Sequence, residues 1–105
     1  MARVEILHDE PGTGALAERG RTVVVRFDGF LHRGDAFARG EVVRFRMGSR
    51  DVIAGLEYGV EGMRVGGRRG FRVPPHLGYR SQGVPGRIPP DALLRFEVEL
   101  LEVQG

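Results

Sequence analysis

Asp51-Val52-Ile53-Ala54-Gly55-Leu56-Glu57-Tyr58-Gly59-Val60-Glu61-Gly62-Met63 is the one stretch of this chain whose apolar residues step at helical rather than strand intervals. Val52, Leu56, Val60 and Met63 fall three or four residues apart, the spacing that lines one face of an α-helix. Ser49 or Asp51 is available as the N-cap, so the reading is one short helix over about residues 51–63. Gly55, Gly59 and Gly62 each weaken it by up to about 1 kcal/mol relative to Ala. A helix of such low propensity forms only when its apolar stripe is packed, and a sheet wrapped over it would supply that packing.

Outward from this segment the period falls to two. Val4 and Ile6 alternate with Arg3 and Glu5, and Val23, Val25 and Phe27 alternate with Thr22, Val24, Arg26 and Asp28. Val43, Phe45 and Met47 flank Arg44 and Arg46, Phe71 and Val73 flank Arg72, and Leu94, Phe96, Val98 and Leu100 flank Arg95, Glu97 and Glu99. Each is the pattern of a half-buried strand. Asp9 to Gly14, His32-Arg33-Gly34-Asp35 and Gly66-Gly67 carry turn chemistry. Pro74 to Pro90 is about as long as structureless loops become in compact domains before they suggest function, and it contains Tyr79. Five strands, one helix and one long loop make an α+β domain.

With 105 residues and 41% hydrophobic content, the chain can bury one modest core, which argues for a single soluble domain over residues 1–105. All 16 basic residues are Arg, balanced by 14 acids to a formal charge of +2, so bulk charge names no partner. The absence of Lys excludes Schiff-base chemistry and a phosphate-gripping lysine. The absence of Cys excludes disulfides, thiolate metal sites and cysteine nucleophiles. Charges within the first five residues and no apolar stretch of membrane-spanning length lead to a cytoplasmic expectation.

The candidate chemistry is sparse. His8, His32 and His76 have no paired ligand spacing, so no metal is expected. Ser49 and Ser81 lie in no nucleophile motif. Gly66-Gly67-Arg68-Arg69-Gly70 is too short for a disordered RGG segment and reads as a turn entering a strand. Outward Arg44, Arg46, Arg68 and Arg72 could form a basic stripe across adjacent strands, with Glu97 and Glu99 as neutralising partners, and no nucleic-acid partner is expected. Tyr79 differs from these: a phenol in a Gly/Pro-rich loop beside an apolar basin can rest its ring there and offer one hydroxyl donor to a carbonyl.

The order of pieces then carries a resemblance. Val23-Val24-Val25-Arg26-Phe27-Asp28-Gly29, Gly34-Asp35-Ala36-Phe37, Phe45-Arg46-Met47-Gly48, Val52 to Val60 and Gly62-Met63-Arg64-Val65-Gly66 run in sequence with Val73-Pro74-Pro75, Gly78-Tyr79, Gly83, Ile88-Pro89-Pro90 and Leu94 to Leu101. Together they cover nearly the whole chain and resemble the FKBP-type peptidyl-prolyl cis/trans isomerases. The resemblance implies a twisted antiparallel half-barrel of five to six strands around one short helix. It also implies an apolar pocket that receives a proline ring, with residues 74–90 as a flap over one side.

Carried over position by position, the resemblance puts Phe37, Val52, Ile53, Ile88 and Phe96 in the pocket wall. It gives the Ile53 backbone N–H and the Tyr79 hydroxyl to substrate carbonyls, and it implies no cofactor. Four positions depart from the family pattern: Phe27 stands for a Tyr, Ala38 for an Asp, Val43 for an aromatic and Leu56 for the floor Trp. The Tyr and Asp are lost together, which leaves no unpaired buried donor or charge. Leu56 gives a shallower floor, so tacrolimus or rapamycin should bind weakly. The segment between Phe37 and Phe45 is also several residues shorter than in typical relatives. Two readings stay open: an isomerase of modest rate acting on Pro-containing peptides or unfolded proteins, or a weakened module that binds Pro-containing segments of a partner. A minimal, stand-alone monomer with no membrane contact is the expectation for either.

Overall fold

Alternation along the C-terminal strand decides which side of the sheet is inside: Leu94, Phe96, Val98 and Leu100 are buried, while Arg95, Glu97 and Glu99 between them are partly exposed. The computed structural model, which describes residues 3–105, repeats that logic in each of the strands packed on the core. The strands are β1 (Glu5–Glu10), β2 (Thr22–Leu31), β3 (Ala36–Arg46), β4 (Arg68–Val73) and β5 (Leu94–Gln104), with the helix α1 (Ala54–Val60) between β3 and β4. All neighbouring pairs are antiparallel, in the order β1-β4-β5-β2-β3, and the sheet stays open because β1 and β3 are its edges. The count is therefore five strands, and the half-barrel wraps α1 as expected.

The expected helix of residues 51–63 shrinks to Ala54–Val60. Ile53 is its N-cap and no side chain caps it. The Ser49 and Asp51 caps are thus corrected: Ser49 Oγ donates to the Arg46 carbonyl at 2.6 Å and accepts from the Asp51 amide at 3.3 Å. Both residues serve the turn that leaves β3. That turn is held to the helix by Glu57, whose carboxylate accepts from the amides of Gly48 at 2.7 Å and Arg50 at 3.0 Å. Beyond Val60 the chain is extended at Glu61 and then turns through Gly62 at φ +86°. Leu56, Val60 and Met63 are buried, whereas Val52 lies before the helix and is half-buried.

Close approach explains the helix glycines. A Cβ at Gly55 would stand 2.2 Å from Val73 Cγ1, and one at Gly59 would stand 2.1 Å from Phe71 Cζ. Two glycines four residues apart therefore give α1 a bare face that seats its backbone on β4. Arg69 of β4 completes the joint, donating to the Gly59 carbonyl at 2.9 Å and the Glu61 carbonyl at 3.0 Å, orphan acceptors at the helix end. The same guanidinium reaches Asp9 on β1 at 3.1 Å.

Two further expectations are corrected. Every residue of β1 is exposed, Ile6 included, because α1 packs on β4 and β5 and leaves this edge uncovered. Asp9 and Glu10 belong to β1, not to the turn. The Arg stripe does not form either: β3, with Arg44 and Arg46, and β4, with Arg68 and Arg72, are separated by β5 and β2. Arg44 donates to Gln104 and Arg72 pairs with Glu5, while Glu97 and Glu99 are taken by Arg95 and Arg26.

Candidate functional site

Two consecutive irregularities in the β2–β3 ladder shape one end of the sheet. Between the pairs Phe27↔Glu41 and Gly29↔Ala38, β3 holds more residues than β2, and between Gly29↔Ala38 and Phe30↔Ala36 it again gains one, Phe37. Such bulges bend a strand and re-aim its side chains. Gly40 takes the first with φ +57°, and its amide donates to Asp28 Oδ1 at 2.6 Å. The second aims the Phe37 ring across Gly29, where a Cβ would stand 2.4 Å from Phe37 Cζ. Despite its short length, the segment from Phe37 to Phe45 is one strand with no loop.

Phe96 anchors the aromatic cluster this creates. Its ring, 2% exposed, meets Phe27 at 5.6 Å and Phe37 at 5.8 Å edge-on, and Phe71 at 5.8 Å in a tilted arrangement. Opposite lies residues 74–90, which are far from structureless. A 3₁₀ turn at Pro75–Leu77 starts the loop, and Val84 and Ile88 exchange backbone hydrogen bonds at 2.8 Å across a tight turn. The Asp91 amide closes the base on the Arg80 carbonyl at 2.8 Å.

Between the cluster and this loop is a cavity of about 350 Å³. Phe27 from β2, Phe37, Ala38 and Val43 from β3, Val52 and Ile53 before the helix, Leu56 on it, Tyr79 and Ile88 in the loop, and Phe96 on β5 all line it. Every position singled out from the sequence is thus brought to one place by six separate segments. Glu41, Asp51, Val84 and Arg87 also line it and were not anticipated. The parity rule could have found Glu41, two residues from Val43 on one strand, but nothing local marks Asp51 or Arg87 as facing inward.

Hydrogen bonding inside the cavity is incomplete in a specific way. The Ile53 carbonyl accepts from the Leu56 amide at 3.1 Å, but its amide donates to no acceptor among the described residues. The Tyr79 hydroxyl has no partner among them either, and since no buried side-chain oxygen or nitrogen lacks one, it reaches accessible space. Phe27, Ala38, Val43 and Leu56 bring no buried orphan with them. A second depression of about 420 Å³ crosses the outer face of the sheet, and four of its charged or titratable side chains pair with one another, His8 Nε2 with Glu97 Oε1 at 2.7 Å and Arg26 with Glu99 at 3.3 Å. Among the described residues no three His, Cys, Asp or Glu gather to hold a metal.

Comparison with known proteins bears on this arrangement. The family model for FKBP-type peptidyl-prolyl cis-trans isomerases matches residues 14–101. The 46 kDa FK506-binding nuclear protein of Spodoptera frugiperda is 39% identical over 97 residues, which cover 89% of this chain and 24% of that protein. FK506-binding protein 2 of Candida glabrata is 43% identical over 91 residues, 87% of this chain and 60% of that one. The crystal structure of FkpA from Escherichia coli superposes with a TM-score of 0.81 at 36% identity, covering 96% of this chain and 47% of FkpA. This chain therefore spans between 24% and 60% of these proteins' lengths. A match that runs from the loop before β2 into β5 takes in all six segments that line the cavity, and the chain belongs to the FKBP-type peptidyl-prolyl cis/trans isomerase family.

Proposed function

We propose that this chain catalyses cis/trans isomerisation of X-Pro bonds, with the cavity as the site that receives the prolyl ring. The observation that carries the reading is a largely apolar hollow edged by two donors, the Ile53 amide and the Tyr79 hydroxyl, that have no acceptor among the described residues. The barrier to be lowered is about 18–20 kcal/mol and arises from amide resonance. Planar amide is the more charge-separated state, so moving the bond from water to an apolar wall disfavours it more than the twisted transition state. Phe27, Phe37, Val52, Ile88 and Phe96 supply that wall, and Ala38, Val43 and Leu56 widen it relative to the family pattern. Ile53 and Tyr79 hold the flanking carbonyls so that rotation occurs about one bond. No nucleophile, base or metal is required.

Its substrates are Pro-containing peptides and unfolded chains, and tacrolimus or rapamycin binds weakly because Leu56 offers less flat surface than an indole. The chain acts as a cytoplasmic monomer of one domain. Burial of the inner sheet face within one chain supports the monomer, and no described helix is long and apolar enough to cross a membrane. Sedimentation and cell fractionation test these two points.

NMR exchange spectroscopy on a short peptide with an apolar residue before Pro is the direct test. Substoichiometric protein should make cis/trans exchange peaks grow. Perturbed peptide shifts without faster exchange would instead assign the cavity to binding alone. Within the isomerase reading, Tyr79→Phe should lower kcat/KM about three- to tenfold, the worth of one neutral hydrogen bond. Its unfolding free energy should stay within about 0.5 kcal/mol of wild type, because the hydroxyl has no partner to lose.

A further inference from the structure

Among the described residues, the flap touches β3 through hydrogen bonds from one side chain only. Arg87 Nη2 donates to the Phe37 carbonyl at 2.6 Å and lies 3.4 Å from Glu41 Oε2. Both acceptors belong to the bulged part of β3: Phe37 has no cross-strand partner in β2, and Glu41 stands opposite Phe27. One nitrogen, Nη2, thus serves two acceptors on the far wall, at the end of a side chain one bond longer than a lysine's. Neighbouring Ile88 and the Phe37 ring both face the cavity. Arg87 and Ile88 also line a wider, open depression of about 790 Å³ that includes Leu31, Pro85 and Pro89, so they form the ridge between the two hollows.

We propose that Arg87 is a positioning residue that clamps the flap onto β3 and so fixes the width of the cavity mouth between Ile88 and Phe37. The proposal rests on the reading of this cavity as the prolyl site. The ion pair with Glu41 is half-exposed on both sides, 55% and 49%, and contributes little by itself. What holds is the short charged bond to a carbonyl, which the bulge at Phe37 presents. The clamp acts on binding: a loosened flap opens the mouth at Ile88 and wets the apolar wall, while the Ile53 donor, outside the flap, stays in place.

Arg87→Met keeps the aliphatic stem and removes the donors. It should raise KM about fivefold, the worth of one ordinary hydrogen bond, because solvent screens the charge of this exposed side chain, with kcat changed by less. In the ligand-free protein, amide resonances of Val84 and Ile88 should shift and lose order on relaxation measurement. Arg87→Lys should recover only part of both effects. Unchanged KM together with unmoved flap amides in Arg87→Met would overturn the clamp. If the wild-type chain accelerates no exchange, the isomerase reading falls, and the flap amides of the ligand-free variants still decide the clamp.

Discussion

Phe96→Ala is expected to reduce the free energy of unfolding by about 3–5 kcal/mol, the range for truncating a fully buried aromatic. The ring is 2% exposed and is in contact with three others, so its removal leaves a void bounded by Phe27, Phe37 and Phe71. β5 cannot move to fill it, because it is paired on both sides, with β4 and with β2. Domains of this size hold only about 5–15 kcal/mol in total, so the variant should be near the limit of folding at room temperature. Urea titration followed by near-ultraviolet circular dichroism measures the loss. Phe96→Leu provides a milder companion, expected to fall between the two. A loss below about 2 kcal/mol for Phe96→Ala would mean that the cavity collapses and the cluster is not the rigid wall described.

Gly59→Ala sets two rules against each other. Helix propensity favours Ala over Gly by about 1 kcal/mol. Packing opposes it, because the new methyl would land 2.1 Å from Phe71 Cζ and 2.2 Å from Cε2. Phe71 is fully buried and lies against Phe96, so its ring has nowhere to retreat. Overpacking of this kind typically costs about 1–3 kcal/mol, and a net destabilisation is the expected sign. Combining Gly59→Ala with Phe71→Leu should shrink the penalty, since the clash partner is gone, and a double-mutant cycle reads the coupling. Stabilisation by Gly59→Ala alone would show that α1 can lift from β4, contrary to the close contact that the glycines give it.

Much of this molecule is legible in one dimension because burial has a period. Leu94, Phe96, Val98 and Leu100 name their own strand and their inward face, and Leu56, Val60 and Met63 name the helix that the sheet covers. The order of motifs also identified ten of the fourteen residues that line the cavity, although their positions span from Phe27 to Phe96. Where the reading failed, the cause was a contact that sequence spacing does not encode. Ile6 alternates correctly yet is exposed, since an edge strand's burial depends on what lies over it. Ser49 and Asp51 have the chemistry of caps but are used by the turn before them.

The sequence by itself determined the five strands, the position of the helix and ten of the fourteen residues that line the cavity, because each follows from local periodicity or an ordered set of motifs. Only the tertiary structure decided that Gly55 and Gly59 are a docking face, that Arg69 closes the helix end, and that Arg87 meets Phe37 and Glu41 across the cavity. These are pairings between residues from eight to fifty positions apart, set by sheet order and by two bulges in β3. Local propensity is blind to them, and for the glycines it points the wrong way, because the energy of close packing is a property of two surfaces and not of either one.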